Sequence, residues 1–122
     1  MKTKTRILSI DGGGIKGIVP AVVLKHLEKY LKQFSNNPDA RIVDYFDLFS
    51  GASTGAIIIA GLLSPDNQDR PKYTAEEIID LYIENGHVIF NASVFQEIKS
   101  VSGLVNVKYD PKGIESVFEE YF

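Results

Sequence analysis

Leu48-Phe49-Ser50-Gly51-Ala52-Ser53-Thr54-Gly55-Ala56-Ile57 is an apolar run that passes through Gly-x-Ser-x-Gly into a second apolar run of helical character. A serine held between two glycines at the end of a buried strand is where a hydroxyl is lifted above a sheet. Gly51 and Gly55 let the backbone bend sharply and pass close to itself, and Ser53 takes the strained corner. A chain of ordinary composition shows this five-residue pattern by chance only about four times in a hundred, so the motif needs support from elsewhere in the chain.

The support lies upstream. Ile7-Leu8-Ser9-Ile10 is short, apolar and rich in β-branched residues, which predicts a buried strand at about 6–10. Asp11-Gly12-Gly13-Gly14-Ile15-Lys16-Gly17 follows as a tight loop. Consecutive glycines between a strand and a helix turn several backbone N–H groups outward together, with no Cβ in the way, and the helix N-terminus adds to their field. Such a cradle binds an anion. One candidate is the oxyanion formed when a hydroxyl attacks an ester carbonyl. The other is a phosphate, because Gly12-x-Gly14-x-x-Gly17 also fits the dinucleotide fingerprint. A glycine turn that merely lets a helix pack close to a strand is the third reading.

The remaining elements follow from periodicity. Val19, Val23, Leu27, Tyr30 or Leu31, and Phe34 recur at helical spacing with Lys25, Glu28, Lys29 and Lys32 facing away, predicting an amphipathic helix over 18–34. Pro20 is tolerated in its first turn. Ser35-Asn36-Asn37-Pro38-Asp39 breaks the helix, and a second strand is expected at about 46–50. The helix expected over 54–63 is apolar on nearly every face and should be buried. A polar loop covers 64–71. Thr74-Ala75-Glu76-Glu77 reads as a capping box opening a helix that runs to about Asn85, where Gly86 closes it. Residues 88–106 give no clear pattern. Asp110-Pro111 opens a last helix with Ile114, Val117, Phe118 and Tyr121 on one face.

Composition narrows the classes of function. With 122 residues, 44% apolar and 24% charged, the chain has a one-domain length and ordinary globular character. Its net charge of −3, from 13 basic and 16 acidic residues without a basic run, gives no footing for nucleic acid. The absence of cysteine excludes disulfides, thiolate metal sites and a cysteine nucleophile. Two histidines, His26 and His87, are too few for a histidine-based metal cluster. The apolar runs are too short for a signal-peptide core or a membrane span, so a soluble, cytoplasmic protein is the expectation. Two strands are too few for a sheet that helices cover on both faces. The C-terminus also stops inside an apolar helical pattern, so the expectation is the N-terminal part of a longer domain.

Ester chemistry uses both glycine motifs, since Ser53 supplies a nucleophile and the Gly12–Gly14 amides an oxyanion hole, each at the C-terminal end of a strand. The dinucleotide reading needs an acid at the end of the second strand. Asp39 sits in a turn and Asp44 precedes that strand, and this reading leaves Ser53 without a role. A histidine triad cannot be assembled. Asp80 and His87 are separated by about 10.5 Å of helical rise, His87 reads as a residue at the helix stop, and His26 reads as packed at the edge of the first helix.

Asp11-Gly12-Gly13-Gly14-Ile15-Lys16-Gly17 after a strand, then Gly51-Ala52-Ser53-Thr54-Gly55 about 40 residues later, closely resembles the patatin-like phospholipases. Asp44-Tyr45-Phe46-Asp47 before the serine motif and Tyr109-Asp110-Pro111 before the last helix are similar as well. The resemblance covers nearly the whole chain. It implies an α/β three-layer sandwich with a parallel-type central sheet and helices on both faces, here incomplete. It also implies a lipid acyl hydrolase acting on lipid or phospholipid at a membrane surface through a serine–aspartate dyad, with no metal, cofactor or histidine. By position Ser53 is the nucleophile and Gly12, Gly13 and Gly14 supply the oxyanion donors. Asp11, Lys16, Gly17, Gly51 and Gly55 complete the motifs, Lys16 standing where the family has Arg or Lys. The family's dyad aspartate lies in Asp-Gly-Gly or Asp-Gly-Ala after the serine. Here the one Asp-Gly is Asp11-Gly12, and Asp66, Asp69, Asp80 and Asp110 lack that context. The base is therefore expected beyond Phe122. The alternatives are a nucleotide-binding α/β module and a catalytically inactive fragment that binds lipid or protein.

Overall fold

The computed structural model describes residues 4–90 and 111–121. In order these form strand β1 (Ile7–Ile10), a 3-10 turn (Gly14–Gly17), helix α1 (Ile18–Ser35) and a second 3-10 turn (Ile42–Asp44). Strand β2 (Leu48–Gly51) and helices α2 (Thr54–Leu63), α3 (Ala75–Phe90) and α4 (Pro111–Tyr121) follow. The class is α/β. Among the described residues β1 and β2 form a two-stranded parallel sheet, with Ile7 opposite Leu48 and Ile10 opposite Gly51. The chain divides into two compact units, Met1–Asp80 and Leu81–Phe122.

The first unit has one apolar core. Ile10 of β1, Ala21 and Leu24 of α1, Ile42, and Ile58, Ile59 and Leu62 of α2 join Ala75, Ile78 and Ile79 of α3, with Leu8 and Phe49 packed against them. Side chains alternate across a strand, so Leu8, Ile10 and Phe49 face this core. The other sheet face is open: Ile7 is 56% and Leu48 54% exposed. The strands read as buried are thus covered on one face among the described residues.

Helix α1 corrects the sequence reading most sharply. Its buried residues are Ala21, Leu24 and Glu28, whereas Val19, Val23, Tyr30 and Phe34 are 60–74% exposed. His26, expected to be packed, is exposed as well. The helix carries two apolar stripes, and the richer one faces outward. Glu28 is tolerated inside because Lys32 lies 3.2 Å from its carboxylate and Ala75 N–H donates to Oε1 at 3.3 Å. A buried charge that is paired and capping a helix start no longer counts as polar-outside.

Local chemistry explains the helix ends. Asn36 ends α1 with a left-handed φ of 51° while its N–H donates to Gln33 O. At the start of α3, Thr74 N–H donates to Glu77 Oε2 (2.7 Å) and Glu77 N–H to Thr74 Oγ1 (3.1 Å), the reciprocal pair expected from the capping box. Helix α3 does not close at Gly86 but continues to Phe90, so His87 lies within the helix. The i, i+4 backbone ladder absorbs one glycine at a cost of about 1 kcal/mol, which neighbouring residues outweigh. In the second unit Asn85 Nδ2 donates to Leu81 O (3.0 Å), and on α4 Val117 is buried while Phe118 and Tyr121 are half-buried. Tyr109, Asp110 and most of the unpatterned stretch 88–106 lie outside the described residues.

Candidate active site

Strand β2 delivers Ser53 to a corner. Ala52 N–H donates to Ile10 O at 3.1 Å, which ties the exit of β2 to the end of β1. Ser53 then adopts φ 51°, ψ −123°, and α2 begins at Thr54. A non-glycine residue in this region costs on the order of 1–3 kcal/mol and persists only where its surroundings impose it. What imposes it is close packing on both sides. A Cβ at Gly51 would lie 2.6 Å from Ala56 N, and one at Gly55 would run into Ile10 O. Strand exit, corner and helix start therefore collapse onto one another, and the serine, which is exposed, is pushed outward.

The glycine loop meets this corner directly. A Cβ added at Gly12 would lie 2.9 Å from Ser53 Cβ and 2.9 Å from Ala52 O. Gly12 is thus pressed against the serine, and only a residue without a side chain permits that approach. Gly13 N–H donates to the Thr54 hydroxyl at 3.2 Å, a long bond that ties the loop to the first turn of α2. Thr54 is 2% exposed. Its role escaped the sequence reading, although its place immediately after the serine was the available signal. Gly14 has a positive φ of 57° and starts the 3-10 turn, where Lys16 N–H donates to Gly13 O at 3.2 Å. Gly17 is buried, and Asp11 and Lys16 are exposed. The structure thus brings together Gly12, Gly13, Gly51, Ser53, Thr54 and Gly55, segments some 40 residues apart in sequence.

Neither acid weighed for a dinucleotide ribose, Asp44 or Asp39, is among the residues gathered at the glycine loop. Asp44 precedes β2, at the end of the strand away from Ser53, and its carboxylate takes Arg70 Nη1 at 2.7 Å and Nη2 at 3.0 Å. The Arg70 hydrogen bond, against a smaller opposing effect of burial, holds the Asp44 carboxyl below its ordinary 3.8. Asp39 lies in an exposed turn, and its carbonyl accepts from Arg70 Nη2 at 3.3 Å. Among the described residues no group of three or more His, Cys, Asp or Glu is placed to hold a metal ion. No helix of the described residues is long and apolar enough to cross a membrane.

This geometry can present an exposed, strained hydroxyl beside the glycine loop and a helix N-terminus, which suits attack on a carbonyl whose oxygen becomes negative. Comparison with known proteins gives a concordant picture. The family described as patatin-like phospholipase matches residues 8–120. Patatin-16 of Solanum tuberosum is 44% identical over 114 residues, covering 93% of this chain and 28% of that protein. Patatin-17 of Solanum cardiophyllum is 43% identical over the same extent. The chain thus spans a little over a quarter of the length of these relatives.

Proposed function

The chain belongs to the patatin-like phospholipase family, and from that premise we propose that it is the nucleophile-bearing portion of a serine lipid acyl hydrolase. The observation that carries the proposal is the contact of Gly12 with Ser53 at a corner where the serine has φ 51°. That contact supports one site made of nucleophile and oxyanion loop.

In this reading Ser53 Oγ attacks the carbonyl carbon of a lipid acyl ester. The hydroxyl proton passes to an aspartate supplied from outside these residues, and the carbonyl oxygen takes the negative charge. Amides of the Gly12–Gly14 loop hold that oxygen, Gly13 exchanging its long bond to Thr54 for the stronger acceptor. The intermediate collapses, the ester C–O bond breaks, and the alcohol leaves with the proton from the aspartate. Water then attacks the acyl-serine by the same route in reverse, releasing the fatty acid. Lys16, exposed at the loop, balances charge near a lipid phosphate.

A serine without a base is a poor nucleophile, so these residues alone should not turn over. An oxyanion hole and positioning still give about 10³–10⁴-fold over water in serine hydrolases that have lost a triad member. A fluorophosphonate should therefore label Ser53 slowly but selectively, and Ser53→Ala should remove the label. Peptide mapping reads this directly. Labelling scattered over other serines at equal rates would leave Ser53 structural and favour the inactive, binding-only alternative.

A further inference from the structure

We infer that the Gly12–Gly13 peptide is a latch on the oxyanion loop, held inward by the Thr54 hydroxyl in the free chain and turned outward by a bound ester, with Gly13 as its hinge. The inference rests on the hydrolase reading of the same site and adds Thr54 to it as a positioning residue.

The first observation is the direction of one donor. Gly13 N–H points at Thr54 Oγ1, 3.2 Å away, and Thr54 is buried. The acyl carbonyl of a substrate comes from the solvent side, where Ser53 and Gly13 are exposed. This amide is thus satisfied from inside and must turn before it meets an oxyanion formed at Ser53. The second observation is a glycine that the free chain does not need. A Cβ at Gly13 would meet Lys16 Cβ at 3.6 Å, an ordinary contact, and its φ of −175° is extended backbone open to any residue. Gly12, by contrast, is required where it stands, since its Cβ would collide with Ser53 Cβ. A second conformation accounts for Gly13. Rotating the Gly12–Gly13 peptide outward carries φ of Gly13 across 180° into the positive half, open to glycine and costly for a residue with a Cβ.

The surroundings confine the motion to that one peptide. On one side Gly12 is pressed against the serine corner. On the other, Lys16 N–H donates to Gly13 O at 3.2 Å and anchors the start of the 3-10 turn. A single long bond between neutral groups holds the inward form, and a charged oxyanion is the stronger acceptor. The ester therefore shifts a two-state equilibrium through its preference for the turned form. Reaction at Ser53 is slowed by the fraction of chains that are latched.

The rate at which an alkyl fluorophosphonate labels Ser53, followed by peptide mapping with melting curves alongside, tests the latch. Thr54→Val strands the Gly13 donor against a methyl group and so favours the turned form. It should label Ser53 about 2–10-fold faster, the range set by the net contribution of one hydrogen bond, although the variant melts lower. Thr54→Ser restores the acceptor and should bring the rate back toward that of the parent chain. Gly13→Ala fits the free chain and should keep its melting temperature, yet label at least tenfold more slowly. Slower labelling of Thr54→Val would overturn the inference and leave Thr54 a structural tether. Labelling of Gly13→Ala at the parent rate would overturn it too, since no turn would then be needed. A parent chain whose Ser53 takes no label overturns the hydrolase reading and this one with it. A labelled parent with indifferent variants overturns the latch alone.

Discussion

Gly12 and Gly55 are the residues at which the site is most easily broken. A methyl at Gly12 meets Ser53 Cβ and Ala52 O at 2.9 Å, and neither is the free end of a flexible side chain. Gly12→Ala should therefore push the serine corner away and slow fluorophosphonate labelling at least tenfold. Gly55→Ala forces a methyl into the Ile10 carbonyl and should cost about 1–3 kcal/mol, as overpacking does, read by denaturant unfolding. Thr54→Val tests the loop tether. It keeps the shape and removes the acceptor of Gly13 N–H, leaving a donor to find another partner at about 1–3 kcal/mol. The glycines and Ser53 were legible in sequence because a tight corner leaves few residue types to choose from. Thr54 was not, since a hydroxyl at a helix start reads first as local capping.

At the scale of elements, α1 shows where a pattern of apolar residues stops being decisive. Its two stripes are both plausible cores, and the choice falls to Ala21 and Leu24, a small residue and one without branching at Cβ, which let the helix approach the Ile42–Ile58 cluster. Leu24→Ala should cost about 2–5 kcal/mol, whereas Val23→Ala, at an exposed position, should stay within about 0.5 kcal/mol; thermal melts of the pair discriminate the two faces. The start of α3 was legible because Thr74 and Glu77 cap each other through local bonds. Thr74→Ala should cost about 1 kcal/mol. Its C-terminal end was not legible, since Gly86 marks a stop only if no contacts carry the helix through. The Arg70–Asp44 pair, joining residues 26 apart in sequence, left no local trace either. Its folded carboxyl pKa is depressed, so its stabilisation is present above the ordinary 3.8 and is lost as pH falls through the lower folded value. Asp44→Asn should therefore destabilise at neutral pH, with the difference from the parent chain closing in that acid window.

For the whole molecule, the order strand, glycine loop, helix, strand, serine corner, helix places two glycine motifs at one end of a parallel pair. That arrangement follows from chain direction: parallel strands put both C-terminal ends on the same side. What sequence could not supply is the extent of the sheet, because a strand edge looks the same whether or not a neighbour covers it. Among the described residues the sheet face that carries Ile7 and Leu48 and the outward stripe of α1 are exposed. The central claim is that Ser53 and the Gly12–Gly14 loop form one ester-hydrolysing site. Amide NMR of the chain phosphonylated by a fluorophosphonate tests it most directly, because the tetrahedral adduct places a polarised phosphoryl oxygen where the oxyanion would be. The account predicts an adduct on Ser53 and downfield shifts of Gly12–Gly14 amide protons, with the Gly13 bond to Thr54 released. An adduct on Ser53 that leaves all three glycine amides unmoved would contradict it.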